Sequence, residues 1–137
     1  MSRIISLESA GKERTHLART IVLAVRELAR QSEPGVETHD LAAYIALSLR
    51  AIADTIDISV AAWEKRGYWV KADSFRMDWL WAEQLAEKMC ADLLDEDWGA
   101  VTVLVAQAAQ KLNKVNVGKN HRLGKPWAGA WQELQRK

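Results

Sequence analysis

The chain has 137 residues, of which 49% are hydrophobic and 27% are charged, and its formal net charge is +1. This composition is typical of a folded globular protein and excludes an intrinsically disordered chain. The length is enough for one domain with a hydrophobic core, so we expect a single domain over residues 1–137.

The sequence lacks the usual signals of membrane insertion and secretion. Its longest apolar runs, residues 42–49 and 101–109, stop well short of the roughly 18 residues that a membrane span requires. The N-terminus has no basic region followed by an apolar run, which is the pattern of a signal peptide. The single cysteine, Cys90, excludes an intramolecular disulfide and is typical of a reducing compartment. We therefore expect a cytoplasmic protein that has no membrane partner.

Charge is distributed unevenly along the chain. Residues 110–137 contain seven Lys or Arg residues and one acidic residue, which gives +6. The rest of the chain contains 12 basic and 17 acidic residues, which gives −5. This asymmetry indicates either an anionic partner for the C-terminal segment or a C-terminal segment that folds over an acidic body.

A first helix is predicted over about residues 9–31, because apolar residues recur there at helical spacing. Its opposite side carries a row of basic residues within roughly 40° of arc. The row consists of Lys12, Arg19, Arg26 and Arg30. Such a row is usually a solvated helix face. Its arginines can also pair with Asp54, Asp57 or Glu64 of a neighbouring helix or of a second subunit. The functional alternative is a track for phosphate groups or for an acidic helix.

The second predicted helix, residues 39–66, is apolar over most of its circumference. This pattern places it at the centre of a helical bundle. Pro34 and Gly35 prevent an earlier start, and Thr38 is predicted to be the N-cap. Gly67 is predicted to stop the helix.

A third helix is predicted over residues 71–95. Tyr68 and Trp69 precede it and are expected to fold onto the end of the bundle. Trp79 belongs to the apolar stripe, whereas Trp81 points roughly 160° away from it. Trp81 is therefore either a second core contact or, with Met77 on the same side, part of an interface, where tryptophan is enriched.

A fourth helix is predicted over residues 98–116, with Gly118 at its end. An acidic cluster precedes it. The cluster consists of Asp92, Asp95, Glu96 and Asp97. We interpret Asp97 as the N-cap and its neighbours as residues that favour the positive end of the helix dipole. A divalent-metal site with oxygen ligands is the alternative interpretation that we reject.

Pro126 is predicted to begin a short fifth helix, residues 126–136, because proline is favoured at the first helical position. Trp127 and Trp131 share one face of this helix. Two tryptophans on so short a helix must dock on this bundle, on a second copy or on a partner.

The sequence contains no recognisable catalytic or metal constellation. Glu83 and Glu87 face the same side of the third helix, but the Glu-x-x-Glu and Glu-x-x-His spacings of di-iron bundles are missing. No histidine lies three or four residues from another histidine, so zinc is unsupported. We predict no cofactor and no metal.

The sequence thus predicts an all-α fold, an antiparallel four-helix bundle with a short additional C-terminal helix. It favours a non-enzymatic interaction protein that forms a homodimer and contacts an acidic protein or nucleic acid. The alternative is a small ligand-binding or metal-dependent helical-bundle enzyme that uses Glu83, Glu87, Asp92 and a residue of the C-terminal segment. The candidate contacts for an anionic partner are Lys12, Arg19, Arg26, Arg30, Lys119, Arg122 and Lys125. The candidate interface residues are Met77, Trp81, Trp127 and Trp131.

Overall fold

The structure, a computed structural model, describes residues 7–136. Within this range the protein consists of five helices and contains no strand. They are α1 (Leu7–Ala29), α2 (Val36–Lys65), α3 (Trp69–Leu94), α4 (Trp98–Lys111) and α5 (Ala130–Arg136). The predicted all-α class is confirmed, and the bounds of α1, α2 and α3 lie within three residues of the predicted ones.

Helix α2 is the element against which most of the others pack. It contacts α1, α3 and α5 extensively, whereas α4 packs mainly on α3. Leu41, Ile45, Leu49 and Ile52 lie on successive turns of α2 and are fully buried. Each such side chain contributes about 1.5–3 kcal/mol by leaving water. The prediction that this segment is the centre of the fold follows from its apolar circumference and agrees with these contacts.

The start of α2 differs from the prediction, whereas its end agrees with it. Thr38 is not the N-cap, because the helix begins at Val36 after Gly35, whose backbone is extended. The Thr38 hydroxyl instead donates to the Glu33 carbonyl oxygen over 3.2 Å and ties the preceding turn to the helix. At the other end Gly67 adopts a φ of +80° and donates its N–H to the Glu64 carbonyl oxygen. Glycine reaches this left-handed conformation without steric cost, which explains why the helix stops here.

The C-terminal third of the chain contains less helix than predicted. Helix α4 ends at Lys111 instead of residue 116, and the chain then turns so that Val117 is buried. Asparagine and glycine, both weak helix formers, are frequent in this stretch, and burial of Val117 outweighs the remaining helical tendency. Pro126 does not begin α5 either. Residues 126–129 form turns, Gly129 has a φ of +81°, and the helix starts at Ala130.

Polar contacts join the long helices at separate levels. Tyr44 of α2 donates its hydroxyl to Thr20 of α1 over 2.8 Å. Arg50 of α2 donates to the Cys90 sulfur of α3 over 3.2 Å. Over the described residues every buried side-chain nitrogen or oxygen has a hydrogen-bond partner. These contacts therefore fix how the helices pair without leaving buried polar groups unsatisfied.

No helix within residues 7–136 combines the length and the apolar character that crossing a membrane requires.

Candidate functional site

The basic row on α1 is only partly available to a partner. Lys12, Arg19 and Arg30 are exposed. Arg30 also forms an ion pair with Glu27 one turn away, at 2.9 Å. Arg26 is half-buried and donates to the Val117 carbonyl oxygen over 2.6 Å, so it serves the fold as well as the surface.

The predicted internal pairing of the row with α2 is not seen at Glu64. Its carboxylate contacts Arg76 of α3 at 3.1 Å instead.

The hydrogen bond from Arg26 to Val117 brings the C-terminal basic segment beside α1. Lys119 follows Val117 by two residues, and Lys119, Arg122 and Lys125 are all exposed. We call these residues, together with the α1 row, the basic surface. Its members are Lys12, Arg19, Arg26, Arg30, Lys119, Arg122 and Lys125. Two segments 91 residues apart in sequence are thereby anchored to each other.

The residues predicted to form an interface occupy different environments. Met77 is 61% exposed. Trp81 is half-buried and does not point away from Trp79, because the two indole rings stack with centroids 5.6 Å apart. The helical spacing fixes only the direction in which each side chain leaves the backbone, and rings as long as indole can still meet.

Trp127 and Trp131 both dock on their own chain. Trp127 is 4% exposed and belongs to the core, which removes it from any surface that a second copy can reach. Trp131 lies with its ring centroid 5.0 Å from that of His39 on α2. Of the three destinations that the sequence leaves open for these tryptophans, the structure selects the first.

Asp40 holds the start of α5 against α2. Its carboxylate accepts hydrogen bonds from the backbone N–H of Gly129, at 3.2 Å, and of Trp131, at 3.0 Å. These donors lie at a helix N-terminus, where backbone N–H groups have no partner inside the helix. Because the two partners are about 90 residues further along the chain, local sequence patterns give no sign of this contact.

His39 lies at the meeting point of three chain segments. Its Nδ1 is 2.7 Å from the Gly35 carbonyl oxygen, and its Nε2 is 2.9 Å from a Glu96 carboxylate oxygen. Trp98 packs edge-on against the ring, with centroids 4.8 Å apart. Both ring nitrogens therefore face acceptors, and only the protonated imidazole can donate to both.

The pKa of His39 reflects this geometry. Partial burial acts to lower it, whereas the hydrogen bonds to Glu96 and Gly35 and the negative charges of Glu96 and Asp40 raise it. The net direction is upward from the ordinary value. The surroundings of His39 thus favour its protonated form, an effect for which the sequence shows no signal.

The acidic cluster before α4 serves the fold. Asp97 accepts a hydrogen bond from the Ala100 N–H over 3.2 Å and is the N-cap, as predicted. Glu96 contacts His39. Within residues 7–136 no group of three or more His, Cys, Asp or Glu side chains is arranged to hold a metal ion. Glu83 and Glu87 are exposed on α3.

A hollow of about 360 Å³ opens between the end of α1, the α1–α2 turn and α4. Its walls are mainly apolar. They include Val25, Leu28, Pro34, Trp98, Val101 and Val105. Two hydroxyls at its rim are engaged internally: Thr38 donates to Glu33, and Thr102 donates to the Trp98 carbonyl oxygen over 2.8 Å. The hollow therefore offers apolar contact and few free polar groups.

The turn between α2 and α3 differs most from its prediction. Tyr68 and Trp69 do not fold onto the helices, since they are 54% and 62% exposed. Trp69 is the first residue of α3, and Val70, which follows it, is 86% exposed. Tyr68 and Trp69 are therefore surface residues, and the prediction that they fold onto the end of the bundle is wrong.

Comparison with known proteins identifies no relative: no family model matches the chain, and no curated protein or solved structure is significantly similar to it.

Proposed function

We propose that the protein is a non-enzymatic interaction module, built as an antiparallel four-helix bundle with a short additional C-terminal helix. Three observations support the architecture. The connections between α1, α2, α3 and α4 are short, which favours antiparallel neighbours. Helix α2 packs against both α1 and α3, and α4 packs against α3. The fifth helix is capped by a residue of α2.

The basic surface contacts an acidic protein or a nucleic acid. The observation that carries this proposal is the hydrogen bond from Arg26 to Val117, because it joins two basic segments that are distant in sequence. Arginine forms paired hydrogen bonds with carboxylate and phosphate groups, and the exposed lysines add charge. Contacts of this type are electrostatic and carry no base specificity.

A catalytic role receives less support from the geometry. The α3 carboxylates Glu83 and Glu87 are exposed and do not line the hollow between α1 and α4. His39 has both ring nitrogens engaged by protein acceptors. These side chains are therefore better explained as surface and structural groups.

The test is binding to heparin and to a short DNA duplex at about 50 mM salt, followed by a salt titration. The wild-type protein is expected to bind both, and its affinity should fall steeply as salt rises. Arg19→Glu combined with Arg122→Glu should lower the affinity at least about tenfold. The melting temperature should stay unchanged, because both side chains are exposed.

The matched control is Lys88→Glu combined with Lys111→Glu. These lysines line a hollow between α3 and α4, and their reversal changes the net charge by the same amount. Affinity should fall less in this control than in the variant that combines Arg19→Glu with Arg122→Glu. Equal losses in the two variants, or no binding of the wild-type protein to either polyanion, would refute the proposal.

We further propose that the protein self-associates as a homodimer through the α3 face that carries Met77 and Trp81. Met77 is 61% exposed and lies one helical turn from Trp81, so the two side chains can form one apolar contact on the surface of α3. Met77→Lys should convert the dimer to a monomer in sedimentation equilibrium at micromolar concentration. A wild-type protein that is already monomeric under these conditions contradicts this part of the proposal.

The hollow between α1 and α4 favours a second candidate function, the binding of a small apolar molecule. Its volume of about 360 Å³ falls within the range of ligand sites, and its walls are apolar. The probe is an anilinonaphthalene dye, whose fluorescence rises on entering an apolar site. Ala106→Phe places a ring in the hollow and should abolish the signal, whereas Ala61→Phe on the exposed side of α2 should not. Equal signals from the two variants exclude the hollow as the site.

A further inference from the structure

The end of the α2–α3 pair presents consecutive large apolar side chains to solvent. Tyr68, Trp69 and Val70 are 54%, 62% and 86% exposed. By contrast, Trp127 is 4% exposed and lies in the core. A run of three exposed apolar residues at one turn is a patch rather than scattered surface variation, and such patches mark contact sites.

The same turn is positively charged. Lys65, Arg66 and Lys71 flank the apolar run, and all three are exposed. The two acidic side chains nearest in sequence, Glu64 and Asp73, both contact Arg76, at 3.1 Å and 3.0 Å. Arg76 and the three flanking basic residues outnumber these two carboxylates, so the region keeps a net positive charge. Residues 65–71, which we call the tip, combine an apolar centre with a basic rim.

We propose that the tip docks on an anionic lipid surface. Tryptophan and tyrosine favour the headgroup region of a membrane, because each has an apolar ring and a polar group. Val70 can enter the boundary of the acyl chains, and basic residues are attracted to anionic headgroups. The expectation of no membrane partner rested on the lack of a spanning segment and of a signal peptide, and peripheral docking requires neither.

Lipid fits the tip better than its two competitors. Single-stranded nucleic acid stacks on aromatic rings, but the most exposed residue of the run is Val70, which has no ring to offer a base. A second copy of the tip would bring Lys65, Arg66 and Lys71 close to the same charges, and like charges at an interface oppose association. An anionic bilayer accepts both the apolar centre and the basic rim.

The experiment is co-sedimentation of the full chain with two kinds of vesicle. One contains phosphatidylcholine alone, and the other contains about 30 mol% phosphatidylserine, which supplies the negative surface potential. The wild-type protein is expected to sediment only with the second kind, and binding should weaken as salt rises. Equal sedimentation with both kinds, or with neither, overturns the proposal.

Substitutions then locate the contact. Trp69→Ala combined with Val70→Ser should weaken binding to the anionic vesicles at least about tenfold. The control Val103→Ser alters an equally apolar side chain, 56% exposed on α4, and should leave binding unchanged. Lys65→Gln and Arg66→Gln should each weaken binding about fivefold, whereas Lys88→Gln should not. Retention of the wild-type affinity in the tip variants overturns the proposal.

Vesicle binding by the tip can be distinguished from polyanion binding by the basic surface. Arg19→Glu combined with Arg122→Glu should leave vesicle binding intact, because neither residue belongs to the tip. Loss of vesicle binding in that variant instead assigns the lipid contact to the basic surface and overturns the tip proposal. Binding of a single-stranded oligonucleotide that the tip variants abolish, with no vesicle binding, also overturns it in favour of nucleic acid.

Discussion

The two ends of α2 use aromatic side chains in opposite ways. The helix has 30 residues and is therefore about 45 Å long. At its N-terminal end Trp98 and Trp131 enclose His39, and polar contacts tie three chain segments together. At its C-terminal end Tyr68 and Trp69 remain in solvent. The chain returns twice to the first end, with the α3–α4 turn and with α5, and these segments bring Trp98 and Trp131 onto His39.

We call the N-terminal end of α2 the closed end and its C-terminal end the open end. The largest expected effect is at the closed end. Trp127→Ala should lower the free energy of unfolding by about 3–5 kcal/mol, because it removes a buried indole and leaves a cavity. Urea denaturation followed by circular dichroism measures this change. The matched substitution at the open end, Trp69→Ala, should change the free energy by less than about 0.5 kcal/mol. Similar losses at the two sites would erase the distinction between the ends.

Asp40→Ala should have the next largest effect. It removes the acceptor for two backbone N–H groups at the start of α5 and should lower the free energy of unfolding by about 0.5–2 kcal/mol. Asp40→Asn keeps only one of the two acceptor oxygens and should restore only part of the loss. Hydrogen exchange at the Trp131 amide should accelerate in the alanine variant. Unchanged exchange would show that Asp40 does not hold α5.

His39 makes the stability of the closed end depend on pH. Its folded pKa is raised above the ordinary value of 6.5, so its contribution is fully present below that value and is lost as the pH rises through the folded pKa. Urea midpoints measured from about pH 6 to pH 9 should therefore fall more in the wild-type protein than in His39→Gln. Glu96→Gln should reduce the same difference, because it removes the partner charge. Parallel profiles for wild type and His39→Gln contradict the assignment.

A double substitution at the C-terminal end of α2 should also have only a small effect. Tyr68→Ser combined with Val70→Ser should change the free energy of unfolding by less than about 1 kcal/mol, because neither side chain is packed against the helices. Thermal unfolding measures it. A loss as large as that of Asp40→Ala would mean that the turn is part of the core.

The sequence predicts helices better than it predicts their ends and their partners. The apolar circumference of α2, the stop at Gly67 and the cap at Asp97 depend on residues within a few positions of each other, and all three agree with the structure. The roles of Asp40 and Arg26 depend on partners about 90 residues away, which periodicity does not encode.

Trp81 shows a second limit of the sequence pattern. Helical geometry places its Cβ away from that of Trp79, yet the two rings stack. For the candidate sites, spacing identifies the α1 row, whereas only the structure shows that Arg26 links it to the C-terminal segment. The sequence does not predict that the tip is exposed. Apolar residues near a turn are buried only if another segment packs over them, and the sequence pattern does not show whether one does.

Cys90 gives the chain a built-in reporter. It is the only cysteine, it is 8% exposed, and its sulfur accepts a hydrogen bond from Arg50 across the contact between α2 and α3. A thiol reagent can reach this sulfur readily only when the two helices separate. The rate at which a thiol reagent modifies Cys90 therefore reports how often the contact between α2 and α3 opens. The unaltered protein needs no engineered label for this measurement.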